Sequence, residues 1–128
     1  MSRKILLIED DEAARYIFST ALAHVGYQVA SVRTGTEGLR WLGSERCDLV
    51  VVDIGLPDLD GFEVIRRIRA SVGPDLPVLV ATVHVFEHDQ VQARAAGCDV
   101  FLKKPLYPRT LIDEIDRLLG GPYDAPVA

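Results

Sequence analysis

The chain reads as an α/β protein built on a doubly wound parallel sheet of five strands, and two observations predict it. Apolar, β-branched runs alternate five times with segments of helical periodicity. The run Val50-Val51-Val52 shows no polar alternation and closes on Asp53 just before Gly55, Pro57 and Gly61. Such runs suit parallel strands covered on both faces, and strand-helix alternation implies right-handed crossovers with helices on both sides of the sheet. Asp53 then stands as the last residue of a central strand, at the carboxyl edge where open α/β sheets bind ligands.

Taken in order, Lys4 to Ile8 is the first strand, followed at once by Glu9-Asp10-Asp11-Glu12. Asp11 suits the cap of a helix starting near Glu12, and early acids suit its positive end. Ala14, Ile17, Phe18, Ala21, Leu22 and Val25 recur at helical spacing, with Gly26 as the stop. A strand over Tyr27 to Val32, a helix over Thr34 to Leu42 with Leu39 and Leu42 inward, and the central strand Asp48 to Asp53 come next. Phe62, Val64, Ile65, Ile68 and Arg69 mark a helix ending by Gly73-Pro74. Pro77 to Thr82 is the fourth strand, with proline tolerated at its first residue, and Glu87 to Ala96 a helix stopped by Gly97. Asp99 to Lys103 is the fifth strand, and Pro108 to Leu119 the last helix, ended by Gly120.

At 128 residues, 48% hydrophobic and 26% charged, the chain is one ordinary globular domain, residues 1–120, with a tail over 121–128 expected to be mobile. No apolar run approaches the roughly 20 residues that span a bilayer, and no signal peptide precedes Lys4, so the reading is cytoplasmic without a membrane partner. A net charge of −5 without a basic stripe argues against direct nucleic-acid binding and favours a protein partner or a metal. Cys47 and Cys98 lack ligand spacing and read as buried reduced thiols.

The strand ends carry the chemistry: Glu9 and Asp10, Asp53, Thr82, and Lys104 just past the fifth strand. Parallel strands bring these ends to one rim. Desolvated carboxylates crowded there repel one another and call for a cation, and oxygen ligands without histidine or cysteine select a hard one such as magnesium. A lysine and a hydroxyl opposite suit phosphoryl oxygens, leaving one carboxylate as nucleophile. Thr82 is otherwise a β-former at an edge position, Phe101 a core residue, and Trp41 a packing residue far from the rim. Asp58 and Asp60 fill turn roles better than Asp53 does.

Four pieces in order, Ile8-Glu9-Asp10-Asp11, Val52-Asp53-Ile54-Gly55-Leu56-Pro57-Asp58-Leu59-Asp60-Gly61, Val80-Ala81-Thr82 and Phe101-Leu102-Lys103-Lys104-Pro105, resemble the response-regulator receiver domain of two-component signalling, the CheY-like superfamily, over residues 4 to about 119. The resemblance implies a flavodoxin-like (βα)5 fold with strand order 2-1-3-4-5. It implies that Asp53 takes a phosphoryl group from a histidine kinase or histidine phosphotransfer protein, that Glu9, Asp10, Asp53 and the backbone carbonyl of Gly55 hold Mg2+, and that Lys104 pairs with Asp53 and then with the phosphate. Thr82 would bind the phosphoryl oxygen and, with Phe101, form the switch; the bond before Pro105 would be cis. On this reading the domain catalyses only its own phosphorylation and dephosphorylation, acts on a downstream protein, and has phosphorylation-dependent dimerisation open to it. No output segment follows residue 120, which fits a stand-alone or excised receiver.

The chain departs from the family at Val83, where receivers usually carry alanine or glycine, and at Phe101, where many carry tyrosine. Val83 is expected to alter phosphorylation or dephosphorylation rates, and Phe101 to switch by packing without a hydroxyl. Gly55 and His84 flank the path of attacking water, and the glycine is expected to leave it open. His84-Val85-Phe86-Glu87-His88 matches a zinc-peptidase pattern by letter, but its first histidine falls in a loop where that motif needs a regular helix. Two further classes stay open: a phosphorylation-independent interaction module, and a magnesium-dependent phosphatase, which typically carries an acid where Gly55 stands.

Overall fold

The computed structural model describes residues 2–123. Strands β1 (Lys4–Ile8), β2 (Gln28–Val32), β3 (Leu49–Val52), β4 (Val78–Thr82) and β5 (Val100–Lys103) alternate with helices α1 (Glu12–His24), α2 (Gly35–Ser44), α3 (Gly61–Ser71), α4 (Glu87–Ala96) and α5 (Pro108–Leu119). All strand pairs are parallel, in the order β2-β1-β3-β4-β5.

The two faces of the sheet follow from the two-residue period of its strands. Ile5, Leu7, Leu49, Val51, Leu79 and Ala81 point to one side, where Phe18 and Leu22 of α1 and Leu111, Ile112 and Ile115 of α5 cover them. Leu6, Ile8, Val50, Val52, Val78 and Val80 point to the other and pack on Phe62, Val64, Ile65 and Ile68 of α3 and Ala93 and Ala96 of α4. Leu39, Trp41 and Leu42 of α2 join that second face only half-buried. Among the described residues, no helix is long and apolar enough to cross a membrane.

Several boundaries shift from the sequence expectation, and the shifts at Asp53, Asp48, Asp99 and Thr34 have a local hydrogen-bonding reason. Asp53 lies one residue beyond β3: its amide still donates to Ile8 O at 3.2 Å, but its Oδ1 accepts the Gly55 amide at 3.0 Å and turns the chain out of the sheet. Asp48 and Asp99 lie outside their strands because their carboxylates accept the amides of Lys4 and Val78, each at 2.8 Å. Thr34 precedes α2 as its cap, its Oγ1 accepting Glu37 N–H at 3.1 Å, and the helix runs on to Ser44. Tyr27 and Pro77 also fall just outside their strands. Thr82 is not at an edge, since β4 lies between β3 and β5 and buries it fully.

The start of the expected tail is held rather than loose. Arg3 N–H donates to Pro122 O at 2.7 Å, the Arg3 guanidinium reaches Leu119 O and Gly121 O, and Ser2 bridges to Tyr123. The rest of that tail, 124–128, lies outside the described residues. Both cysteines are free thiols; Cys98 is buried, whereas Cys47 is only half-buried, and burial pushes its thiol up to about 11.

Candidate functional site

Glu9 follows β1 directly and is anchored by its amide, which donates to Val32 O at 3.0 Å. Glu9 is 2% exposed and Asp53 is 8% exposed, while Asp10 faces solvent. Each of these three acids offers a carboxylate oxygen, and the three oxygens lie within 4.8 Å of one another. The parallel register does this: Ile8 pairs with Val52, so the residues that follow β1 and β3 meet at one rim. Asp11 stays out of the cluster as the cap of α1, its Oδ2 accepting Ala14 N–H at 2.8 Å.

Lys104 enters from the end of β5, where its amide donates to Thr82 O at 2.8 Å. Its Nζ bonds Glu9 Oε1 and lies 3.2 Å from Asp53 Oδ2. The peptide bond from Lys104 to Pro105 is cis. Burial by itself would depress the Lys104 ammonium, but the Glu9 hydrogen bond and the charges of Asp53 and Glu9 outweigh it and hold the lysine above its ordinary value. Burial pushes the Glu9 carboxyl up, with Lys104 countering only part of the effect.

One lysine against three carboxylates leaves the rim with excess negative charge. The donor set is all oxygen, partly buried and converging, which fits a small hard divalent cation that keeps some of its water. Thr82 lines the same rim at the end of β4; its Oγ1 accepts the His84 amide at 3.1 Å, and its own hydroxyl hydrogen is left to donate elsewhere. Phe101 is half-buried against the core beneath α3 and α4.

Three features of this region were not anticipated. Gly61, read only as a strand stop, opens α3 hard against the Asp53 loop: a Cβ there would lie 2.5 Å from Ile54 Cα and 2.6 Å from Asp53 O, so only glycine lets the helix start so close. Asp58 does more than turn the loop, since its carboxylate accepts the amides of Gly35 at 2.9 Å and Thr36 at 2.8 Å, tying the Asp53 loop to the start of α2. The neighbourhood of Gly55 is occupied by a side chain. The His84 ring folds over it, with Nε2 2.6 Å from where a Gly55 Cβ would be.

The remaining expectations sort by position. Val83 is 62% exposed and lines a shallow groove with Lys104, Pro105 and Ile17. Glu87 and His88 lie on α4 while His84 precedes it, and among the described residues the only cluster able to hold a metal is Glu9, Asp10 and Asp53. The zinc-peptidase pattern is therefore not realised.

Comparison with known proteins gives one consistent family. The family model described as response regulator receiver domain matches residues 5–116. The transcriptional regulatory protein AfsQ1 of Streptomyces coelicolor is 39% identical over 115 residues, covering 90% of this chain and 50% of that protein. Response regulator MprA of Mycobacterium tuberculosis is 38% identical over 119 residues, 93% of this chain and 51% of that protein. The chain thus spans about half the length of the curated relatives it matches. Among solved structures, a CheY-like response regulator receiver domain protein from Methanospirillum hungatei superposes with a TM-score of 0.90 at 29% identity, covering 94% of this chain and 95% of that one. The chemotaxis response regulator CheY4 of Vibrio cholerae gives 0.86 at 27% identity, over 92% and 99%.

Proposed function

The chain belongs to the response regulator receiver domain family, and on that footing we propose that Asp53 is the phosphoacceptor of a magnesium-dependent transfer from a phosphohistidine. The observation that carries the reading is the placement of Asp53: just past a central strand, 3.2 Å from Lys104 and sharing a three-carboxylate cluster with Glu9 and Asp10. A carboxylate oxygen of Asp53 attacks phosphorus, the phosphorus-nitrogen bond breaks, and its electron pair leaves with the donor imidazole. The product is an acyl phosphate on Asp53.

Glu9, Asp10, Asp53 and the Gly55 carbonyl would hold the magnesium, which when bound neutralises charge on the phosphoryl oxygens. Lys104 holds Asp53 in place before transfer and then follows the new negative charge to the phosphate. Thr82 turns its hydroxyl to a phosphoryl oxygen, and the space it leaves is taken by Phe101. The change is read on the face made by α4, β5 and α5, where Val91 and Tyr107 stand exposed. The donor is a histidine kinase or histidine phosphotransfer protein and the reader a downstream protein, with cytoplasmic location and phosphorylation-dependent dimerisation parts of the same proposal.

The test is labelling by a small phosphodonor such as acetyl phosphate. Wild-type protein should label with magnesium and not with EDTA, and Asp53→Asn should reduce labelling to background. Labelling that survives Asp53→Asn would end the proposal. Partner binding unaffected by Asp53→Asn would instead favour a phosphorylation-independent interaction module.

A further inference from the structure

Arg15 is the fourth residue of α1, near the positive end of the helix dipole, where a cation is unfavourable. Its guanidinium does not turn away to solvent. It folds back over the loop before the helix, and Nη1 donates to Glu9 O at 3.0 Å and to Asp10 O at 3.4 Å. These are the main-chain carbonyls of two of the three clustered acids.

The two acids differ in what else holds them. Glu9 is buried, bonded by Lys104, and accepts the Asp11 amide on Oε2 at 3.2 Å. Asp10 is exposed, and among the described residues no hydrogen bond or ion pair reaches its carboxylate. Its direction is set by the main chain alone, and the side chain bonded to its carbonyl is Arg15.

Resting on the phosphoacceptor reading, we infer that Arg15 is a positioning residue for the metal: by clamping the Glu9 and Asp10 carbonyls it fixes the Asp10 carboxylate toward Glu9 and Asp53. It touches neither metal nor phosphate and acts through the peptide planes it holds. This role opposes the electrostatic one. As a nearby cation, Arg15 should weaken magnesium binding; as a clamp, it should strengthen it. The sign of the mutational effect decides between them.

The experiment is calorimetric titration of magnesium into full-length wild-type, Arg15→Gln and Arg15→Lys proteins, alongside amide hydrogen exchange at Asp11 without metal. Outer contacts of this kind are worth roughly tenfold in metal affinity, so Arg15→Gln should weaken magnesium by about that factor. Arg15→Lys, which keeps the charge but has a shorter, more flexible side chain to reach both carbonyls, should recover only part of it. The magnesium concentration for half-maximal labelling should rise in step, while the rate at saturating magnesium stays near wild type. Exchange at Asp11, whose amide bonds Glu9, should quicken in Arg15→Gln. Equal or tighter magnesium binding by Arg15→Gln, or unchanged exchange, would overturn the inference. Failure of wild-type protein to label on Asp53 would instead sink the phosphoacceptor reading and leave the binding and exchange comparisons to decide the role of Arg15.

Discussion

The two ends of the same sheet use charge in opposite ways. At the amino-terminal edge three charged groups are matched: Arg69 donates to Gly97 O, Gly73 O and Leu76 O and pairs with Asp99, which also accepts Val78 N–H, while Asp48 accepts Lys4 N–H. At the carboxyl-terminal rim three carboxylates face one lysine. Those three groups close strands and loops, and each can be explained by what it satisfies. The unmatched end keeps excess negative charge, which the proposed cation and phosphoryl chemistry would use. An excess of like charge inside a fold is therefore a stronger pointer to function than the number of charges.

The sharpest way to break this comparison is to remove the cation from each end. Lys104→Gln should lower the labelling rate by ~10²-fold or more, because the preorganised cationic donor facing Asp53 is lost. Arg69→Gln should leave the rate near wild type while lowering the unfolding midpoint, because its partners are carbonyls and a carboxylate far from the chemistry. Initial rates with acetyl phosphate and urea midpoints on both variants check this. Equal rate losses would show that the rim lysine acts only through stability.

Much of this was legible in the sequence wherever the signal is local. β1, α4 and α5 fall where acids, Gly97, Pro108 and Gly120 mark their ends. The convergence of Glu9, Asp10, Asp53, Thr82 and Lys104 was legible too, since parallel strands must present their carboxyl ends together. What escaped depends on contacts between distant segments. Nothing near Asp58 announces that it bonds Gly35 and Thr36, and nothing near Gly55 announces the His84 ring above it. β3 ended early for a related reason: whether an aspartate extends a strand or folds its carboxylate onto the next loop is set by the turn it joins. Arg15 carried one hint, a cation at the wrong end of a helix.

Carboxylates sharpen the comparison through the sign of their effects. Asp99→Ala should destabilise the metal-free protein by about 1–3 kcal/mol, since it strips the Val78 amide of its acceptor and Arg69 of its counterion. Asp10→Asn should stabilise it by about 1 kcal/mol, the scale of repulsion between charges that close near solvent. Adding magnesium should reverse the order, raising the wild-type midpoint but not that of Asp10→Asn. Urea unfolding in EDTA and then in magnesium reads all three signs; a loss of stability in Asp10→Asn without metal would mean that the rim is as well matched as the opposite edge.

The smallest effect lies in the pH dependence of the metal-free protein. Lys104 has a folded pKa above its unfolded value, because the Glu9 hydrogen bond and the charges of Asp53 and Glu9 outweigh its burial. The folded state therefore holds that proton more tightly. The resulting stability is fully present below the unfolded lysine value of about 10.4 and is lost as pH rises through the higher folded one. Tyr27, whose phenol is pushed up by burial and by Asp116, declines in the same alkaline range, so the wild-type curve alone cannot assign the slope. The difference between wild type and Lys104→Gln can: urea midpoints from pH 8 upward should converge as pH rises, because only the wild type has this proton to lose. Parallel curves would mean that the lysine gains nothing from its two acids on folding, and the rim would then hold its negative charge without the one internal cation that now offsets it.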